Sequence, residues 1–222
     1  MGLFGKKQLC GATLGIWEIT ETAGELLEQA SLTAYEQRYY AGLKTPLRKK
    51  HWLSYRLILP HVLENSPAGG IVYDAHGKPR LESGSGHISV AHSGNFACLA
   101  VSKARRVGVD IELMHPKIFR LSHRFLSAHE AAYDRSHKAM ESLYLIWCAK
   151  EALYKLHGSG GLSFRQDIHI PPFRLENRGR LHGMITKEGN QRGCEVFYET
   201  IGPYMLAYAL ETNKQEPDPT SQ

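Results

Sequence analysis

Val107-Gly108-Val109-Asp110-Ile111-Glu112-Leu113 alternates apolar residues with a glycine and two acids, which is the period of a β-strand. The alternation predicts Val107, Val109, Ile111 and Leu113 on a core-facing side and Gly108, Asp110 and Glu112 on the other. That arrangement sets the two carboxylates about 7 Å apart along the strand. Like charges this close repel unless a cation joins them, and carboxylate oxygens are hard ligands suited to Mg²⁺ shared with phosphates. On spacing alone, an amphipathic edge strand with a solvated acidic face also reads from the same residues.

Upstream of this strand, residues 71–113 form short β-like runs broken by Gly77, Gly84, Gly86, Gly94 and Gly108. Further upstream, Leu14, Ile16 and Ile19 around Trp17 predict an opening strand, and Thr22-x-x-Glu25 and Thr33-x-x-Glu36 are capping-box patterns for two short helices. Leu47, Leu53, Leu57, Ile58 and Val62 recur at helical spacing between Thr45 and Glu64, with Pro46 near the start and Pro60 expected to kink or end the helix. Downstream, residues 114–157 read as mainly helical, with a third capping box at Ser127-x-x-Glu130, and residues 164–210 return to strands.

The expected class is therefore α+β, with an N-terminal half at 1–113, a C-terminal half at 114–210 and a loose tail at 211–222. Ser93-Gly94-Asn95-Phe96 and Ile201-Gly202-Pro203-Tyr204 each lead into an apolar strand, an internal echo that fits two related halves as well as ordinary hairpin chemistry.

In the segment 141–157, Leu145, Ala149, Ala152, Leu153 and Leu156 supply a helical core face, and Gly158 ends it. Trp147, Glu151 and Lys155 form the neighbouring stripe, which places a carboxylate one turn before an ammonium; an ordinary i,i+4 ion pair reads from the same spacing.

With 222 residues and a net charge of +5, the chain suits an anionic partner without choosing one. Cys10, Cys98, Cys148 and Cys194 have neither zinc-ligand nor disulfide-framework spacing, so reduced thiols in the cytoplasm are expected. No export signal or membrane-spanning segment is read. Helix-turn-helix, zinc and RNP-type patterns are absent, so nucleic-acid binding is not expected.

Taken in order, Gly77-Lys78-Pro79, Val90-Ala91-His92-Ser93-Gly94, Gly108-Val109-Asp110-Ile111-Glu112 and Trp147-Cys148-Ala149-Lys150-Glu151-Ala152-Leu153-Tyr154-Lys155 resemble the surfactin-synthetase-activating class of 4′-phosphopantetheinyl transferases. The resemblance runs from about Thr33 to Leu210 and takes in Arg124-Phe125-Leu126-Ser127-x-x-Glu130. It implies two similar α/β halves packed as a pseudo-dimer in one monomeric chain. It also implies transfer of phosphopantetheine from coenzyme A to a serine of an acidic acyl- or peptidyl-carrier protein, with release of adenosine 3′,5′-bisphosphate.

Carried over by motif position, Asp110, Glu112 and Glu151 are the Mg²⁺ ligands and Lys155 lies at the diphosphate. Lys78 and Pro79 fall near the nucleotide end and His92 at a phosphate. Arg48-Lys49-Lys50 with Arg56 is similar to the family's cationic segment for the 3′-phosphate, with Arg48 and Arg56 favoured. Glu151 or a metal-bound water is the implied base. Lys117, Arg120 and Arg124, among Met114, Phe119 and Phe125, are a candidate docking patch. The sequence departs from the family pattern at Ala91, where many relatives carry serine, and in lacking lysines between Tyr35 and Tyr40. A binding module without turnover and a hydrolase of coenzyme A are the rival readings.

Overall fold

The computed structural model describes residues 2–9, 11–63, 69–75, 77–134 and 140–212. Cys10 and the tail beyond 212 lie outside the described residues. The chain opens with strands β1 (Gly2–Leu9) and β2 (Ala12–Glu18) and helices α1 (Ala23–Gln29), α2 (Ala34–Ala41) and α3 (Pro46–Val62). Strands β3 (Ile71–Tyr73), β4 (Pro79–Leu81), β5 (His87–Ser93), β6 (Phe96–Ser102) and β7 (Val107–Leu113) follow. Then come helices α4 (Ile118–Leu121), α5 (Ala128–Asp134) and α6 (Met140–His157), and strands β8 (Ile168–His169), β9 (Arg178–Lys187), β10 (Asn190–Ile201) and β11 (Tyr204–Glu211).

Two main sheets result, ordered β1-β2-β6-β5 and β7-β11-β10-β9-β8, with β3-β4 as a small third. The mixed α and β content agrees with the expected class. The acidic strand, grouped from sequence with the first half, is hydrogen-bonded into the second sheet, because all of β7 pairs antiparallel with β11 from Leu113↔Tyr204 to Val107↔Leu210.

Period-2 alternation sorts the apolar residues into layers. Ala97, Leu99 and Val101 of β6 face α3, whereas Phe96, Cys98 and Ala100 turn to the other side. There they meet Val107, Val109 and Ile111 of β7 and Leu206, Tyr208 and Leu210 of β11 in a core between the sheets. Met205, Ala207 and Ala209 of β11 pack instead against α6. The layers are thus α3, first sheet, second sheet, α6. Leu47 and Leu113, assigned from sequence to the buried side, are 56% and 41% exposed, since each stands at the end of its element.

All three capping boxes form. Thr22 and Thr33 cap α1 and α2. Ser127 N–H donates to Glu130 Oε2 at 2.7 Å while Ser127 Oγ accepts from Glu130 N–H at 3.2 Å. Pro60 sits in the last turn of α3, which runs two residues past it. The segment 2–9, read from sequence without a strand, is β1, an edge strand whose side chains are exposed or half-buried after Gly2 and carry little apolar signal. Glu211, expected in the tail, still belongs to β11.

Candidate active site

The strand alternation that sends Val109 and Ile111 into the inter-sheet core turns Asp110 the other way, beneath α6. Gly108 makes that approach possible: a Cβ there would lie 1.8 Å from the Ala152 carbonyl oxygen, so only glycine lets the helix backbone settle on the strand. One turn of α6 then brings Glu151 and Lys155 over Asp110. Lys155 Nζ donates to Asp110 Oδ1 at 2.7 Å and to the Val109 carbonyl at 3.1 Å. The i,i+4 ion pair with Glu151 that the spacing offered is not made; the lysine reaches across to the strand instead.

Asp110 is 5% exposed, which excludes the solvated acidic face for this residue. Its Oδ2 is buried with no hydrogen-bond partner among the described residues. Glu112 is half-buried, and its Oε2 accepts from Ser93 Oγ at 2.8 Å. Ser93 Oγ in turn accepts from Leu113 N–H at 3.0 Å, so a hydroxyl of β5 fixes a carboxylate of β7.

Burial pushes the Asp110 carboxyl up, with Lys155 offsetting part of the shift. Burial and then the charge of Asp110 raise Glu112. Glu151 is pushed up to about 7 by burial first and by Asp110 next. Burial pulls Lys155 down, but the adjacent Asp110 leaves it above its ordinary value. His92 is lowered to about 4 by burial and by His51, on which it stacks at 4.2 Å, so its imidazole is neutral at pH 7.

Arg48, His92, Asp110, Glu112, Glu151 and Lys155 all line one cavity of about 350 Å³, together with Pro79. An aromatic wall of Trp52 and Tyr55 from α3 and Tyr73 from β3 completes it, and the sequence reading gave those three no role at the site. Ser93 lay inside a quoted motif, but its tie to Glu112 crosses strands and has no signal in spacing.

Two expected residues are placed elsewhere. Arg56 is a correction to the phosphate segment: it is 6% exposed, and its guanidinium is committed to Glu36 Oε1 at 2.8 Å and to the carbonyls of Trp52 and Ile71. The seven-residue spacing from Lys49 does not hold it at the surface, because its face of α3 packs against α2 and β3. Lys78 does not line the carboxylate cavity, although Gly77 and Pro79 do; its side chain lies over Gly158 in the adjoining cavity.

Among the described residues no three His, Cys, Asp or Glu side chains converge as a ready-made metal cage. The donor set nevertheless fits a hard divalent cation: three carboxylates share a cavity with one close ammonium, Asp110 raises the proton affinity of both glutamates, and one buried oxygen lacks a partner among the described residues. No helix of the described residues is long and apolar enough to cross a membrane.

Residues 106–209 match the model of the 4′-phosphopantetheinyl transferase superfamily, a span that opens just before the acidic strand and closes in β11. A putative 4′-phosphopantetheinyl transferase of Synechocystis is 33% identical over 61% of this chain and 61% of its own length. The 4′-phosphopantetheinyl transferase AcpT of Escherichia coli O157:H7 is 32% identical over 59% of this chain and 72% of its own length. HetI of Nostoc, named likewise, is 33% identical over 40% and 41%. The match thus spans less than two thirds of the Synechocystis relative and more than two thirds of the Escherichia one. With the acidic strand and the helix after it both inside the matched span, the chain belongs to the 4′-phosphopantetheinyl transferase superfamily.

Proposed function

We propose that the chain transfers the 4′-phosphopantetheine group of coenzyme A to a serine hydroxyl of an apo acyl- or peptidyl-carrier protein, in the manner of the surfactin-synthetase-activating class. The observation that carries this reading is the meeting of Asp110, Glu112, Glu151 and Lys155 in one cavity with Arg48 and His92. Acidic and basic groups there face a space suited to a diphosphate and a counter-ion.

Asp110, Glu112 and Glu151 would hold Mg²⁺, which when bound supplies positive charge to the diphosphate. Lys155 donates to the phosphate oxygens and offsets the charge that develops as the serine oxygen bonds to phosphorus and adenosine 3′,5′-bisphosphate leaves. Glu151 accepts the serine proton directly or through water. Neutral His92 and exposed Arg48 take the phosphates of the nucleotide end, and Pro79 packs beside it. Arg56 has no part in binding.

Lys117, Phe119, Arg120 and Arg124 are exposed on the segment after β7, beside the cavity strand, and suit an acidic carrier. One chain supplies every site residue, so a monomer suffices. The free thiols of Cys98, Cys148 and Cys194 suit the cytoplasm. The two-half, pseudo-dimeric reading of the fold is part of this proposal, with β7 joining the second half.

The test incubates apo carrier proteins with coenzyme A, Mg²⁺ and the protein, and measures intact mass for the gain of one phosphopantetheine. EDTA and Asp110→Ala should each abolish the gain while the circular dichroism spectrum stays native. Full transfer by the folded Asp110→Ala protein would rule out the assignment.

A further inference from the structure

The three carboxylates assigned to the cation stand on β7 and α6, and none of them comes from the first sheet. The first sheet reaches the site all the same, through Ser93 at the end of β5. Its hydroxyl oxygen accepts from the Leu113 N–H at 3.0 Å, which leaves its proton for Glu112 Oε2 at 2.8 Å.

Glu112 needs such a hold. Asp110 shares its face of the strand, about 7 Å away along the chain, and repels it. Lys117, exposed on the segment after β7 and absent from the cavity lining, attracts it. Repulsion from within and attraction from without both draw a flexible carboxylate out of the cavity. Two donors oppose them: the Trp147 indole from α6, and Ser93 from the facing sheet.

Ser89 shows what the contact between the sheets asks of a serine by itself. It stands four residues earlier on the same face of β5 and accepts from the Val109 N–H at 3.0 Å, so each serine takes the amide twenty residues on. The two differ in everything else. Ser89 lines the neighbouring cavity and not the carboxylate one, whereas Ser93 gives its proton to a carboxylate of the site. The Val109 amide is buried, but Leu113 is 41% exposed, so water can replace the Ser93 hydroxyl at that amide and not at Glu112.

We propose that Ser93 is a positioning residue for the divalent cation: by fixing the Glu112 carboxylate it sets the affinity of the Asp110, Glu112 and Glu151 site. The first sheet thereby tunes a metal site to which it lends no ligand. This rests on the metal assignment above. Loss of a hydrogen bond to a ligating side chain weakens metal binding by about 10–100-fold, a far larger effect than a half-buried serine has on folding.

Mn²⁺ takes the same hard oxygen ligands as Mg²⁺ and is titrated into the full chain with coenzyme A present and no carrier, the free ion being read by electron paramagnetic resonance. Ser93→Ala should bind Mn²⁺ at least about tenfold more weakly, with a native circular dichroism spectrum. Ser93→Thr keeps the hydroxyl and should bind as the parent does. Ser89→Ala should also bind as the parent does, although its urea midpoint falls. In the transfer assay, the Mg²⁺ concentration for half-maximal rate should rise in Ser93→Ala by the factor that the titration gives.

Parent-like Mn²⁺ affinity in Ser93→Ala would overturn the inference. So would an equal loss in Ser89→Ala, which would trace the effect to the contact between the sheets, or a Ser93→Thr protein that binds no better than Ser93→Ala. A parent protein that takes up no Mn²⁺ would instead defeat the metal assignment, and this inference with it. One that binds Mn²⁺ in the expected order of variants but loads no carrier would defeat the transfer reading and uphold the role of Ser93.

Discussion

At the scale of single residues, the site is a problem of crowded negative charge. Glu151 sits near Asp110 and Glu112, and burial with their charges lifts it to about 7 from the ordinary 4.5. An unfolded chain releases this proton near pH 4.5, whereas the folded chain holds it to about pH 7. Folding stability in the absence of metal therefore falls as pH rises through that window, by an amount on the order of 3 kcal/mol, and is flat above it. Glu151→Gln removes the loss. In urea titrations with EDTA, the variant should gain on the parent steadily between those two pH values and hold its lead at pH 8. Equal stability at pH 8 would mean that the carboxylates do not press on one another. The sequence made this cluster legible because each member follows a local period, two along β7 and four along α6. It did not make Arg56 legible: the residue that claims its guanidinium, Glu36, lies in another helix, and no spacing rule joins them.

At the scale of elements, the decisive contact is between β7 and α6, and it depends on an absent side chain. Gly108 was read on the acid-bearing face of this strand, and there, at the second position of β7, it faces the helix backbone, an approach that no spacing announced. Besides the Ala152 oxygen at 1.8 Å, an added Cβ would meet Leu156 N at 2.8 Å. Neither is the movable end of a side chain, so strand and helix must separate. Gly108→Ala should cost about 3 kcal/mol or more, at or above the upper end for an overpacked core. The measurement is the urea midpoint, and a change under about 1 kcal/mol would show that the helix can shift without loss. Helix α6 itself was readable from end to end, since its buried face repeats at helical spacing and Gly158, at φ +75°, stops it. Strand β1 was not, because an edge strand with exposed side chains leaves no apolar alternation to find.

At the scale of the whole molecule, the two sheets carry matching devices. Glu36 of the second capping box accepts from Arg56, twenty residues on, and from Ile71 N–H. Glu130 of the third accepts from Lys150, again twenty residues on, and from Ile170 N–H. Gly94 and Gly202 turn equivalent hairpins at φ +52° and +53°. These correspondences support two related halves better than the short sequence echo did, because the partners of each glutamate are far apart in the chain. The two sheets meet where β5 lies beside β7, and among the described residues no strand pairing joins them there. Two serines do: Ser89 Oγ accepts from Val109 N–H and Ser93 Oγ from Leu113 N–H, both at 3.0 Å. The carboxylate cavity spans this seam, with Arg48 and His92 on one side and Asp110, Glu151 and Lys155 on the other. Ser89→Ala would leave the buried Val109 N–H without an acceptor, at a cost of about 1–3 kcal/mol. The variant should lower the urea midpoint accordingly and speed hydrogen exchange at the Val109 amide more than at Val196, which lies inside the second sheet. Exchange that accelerates equally at both positions would mean that the serine supports general stability and that something other than these hydroxyls holds the sheets edge to edge.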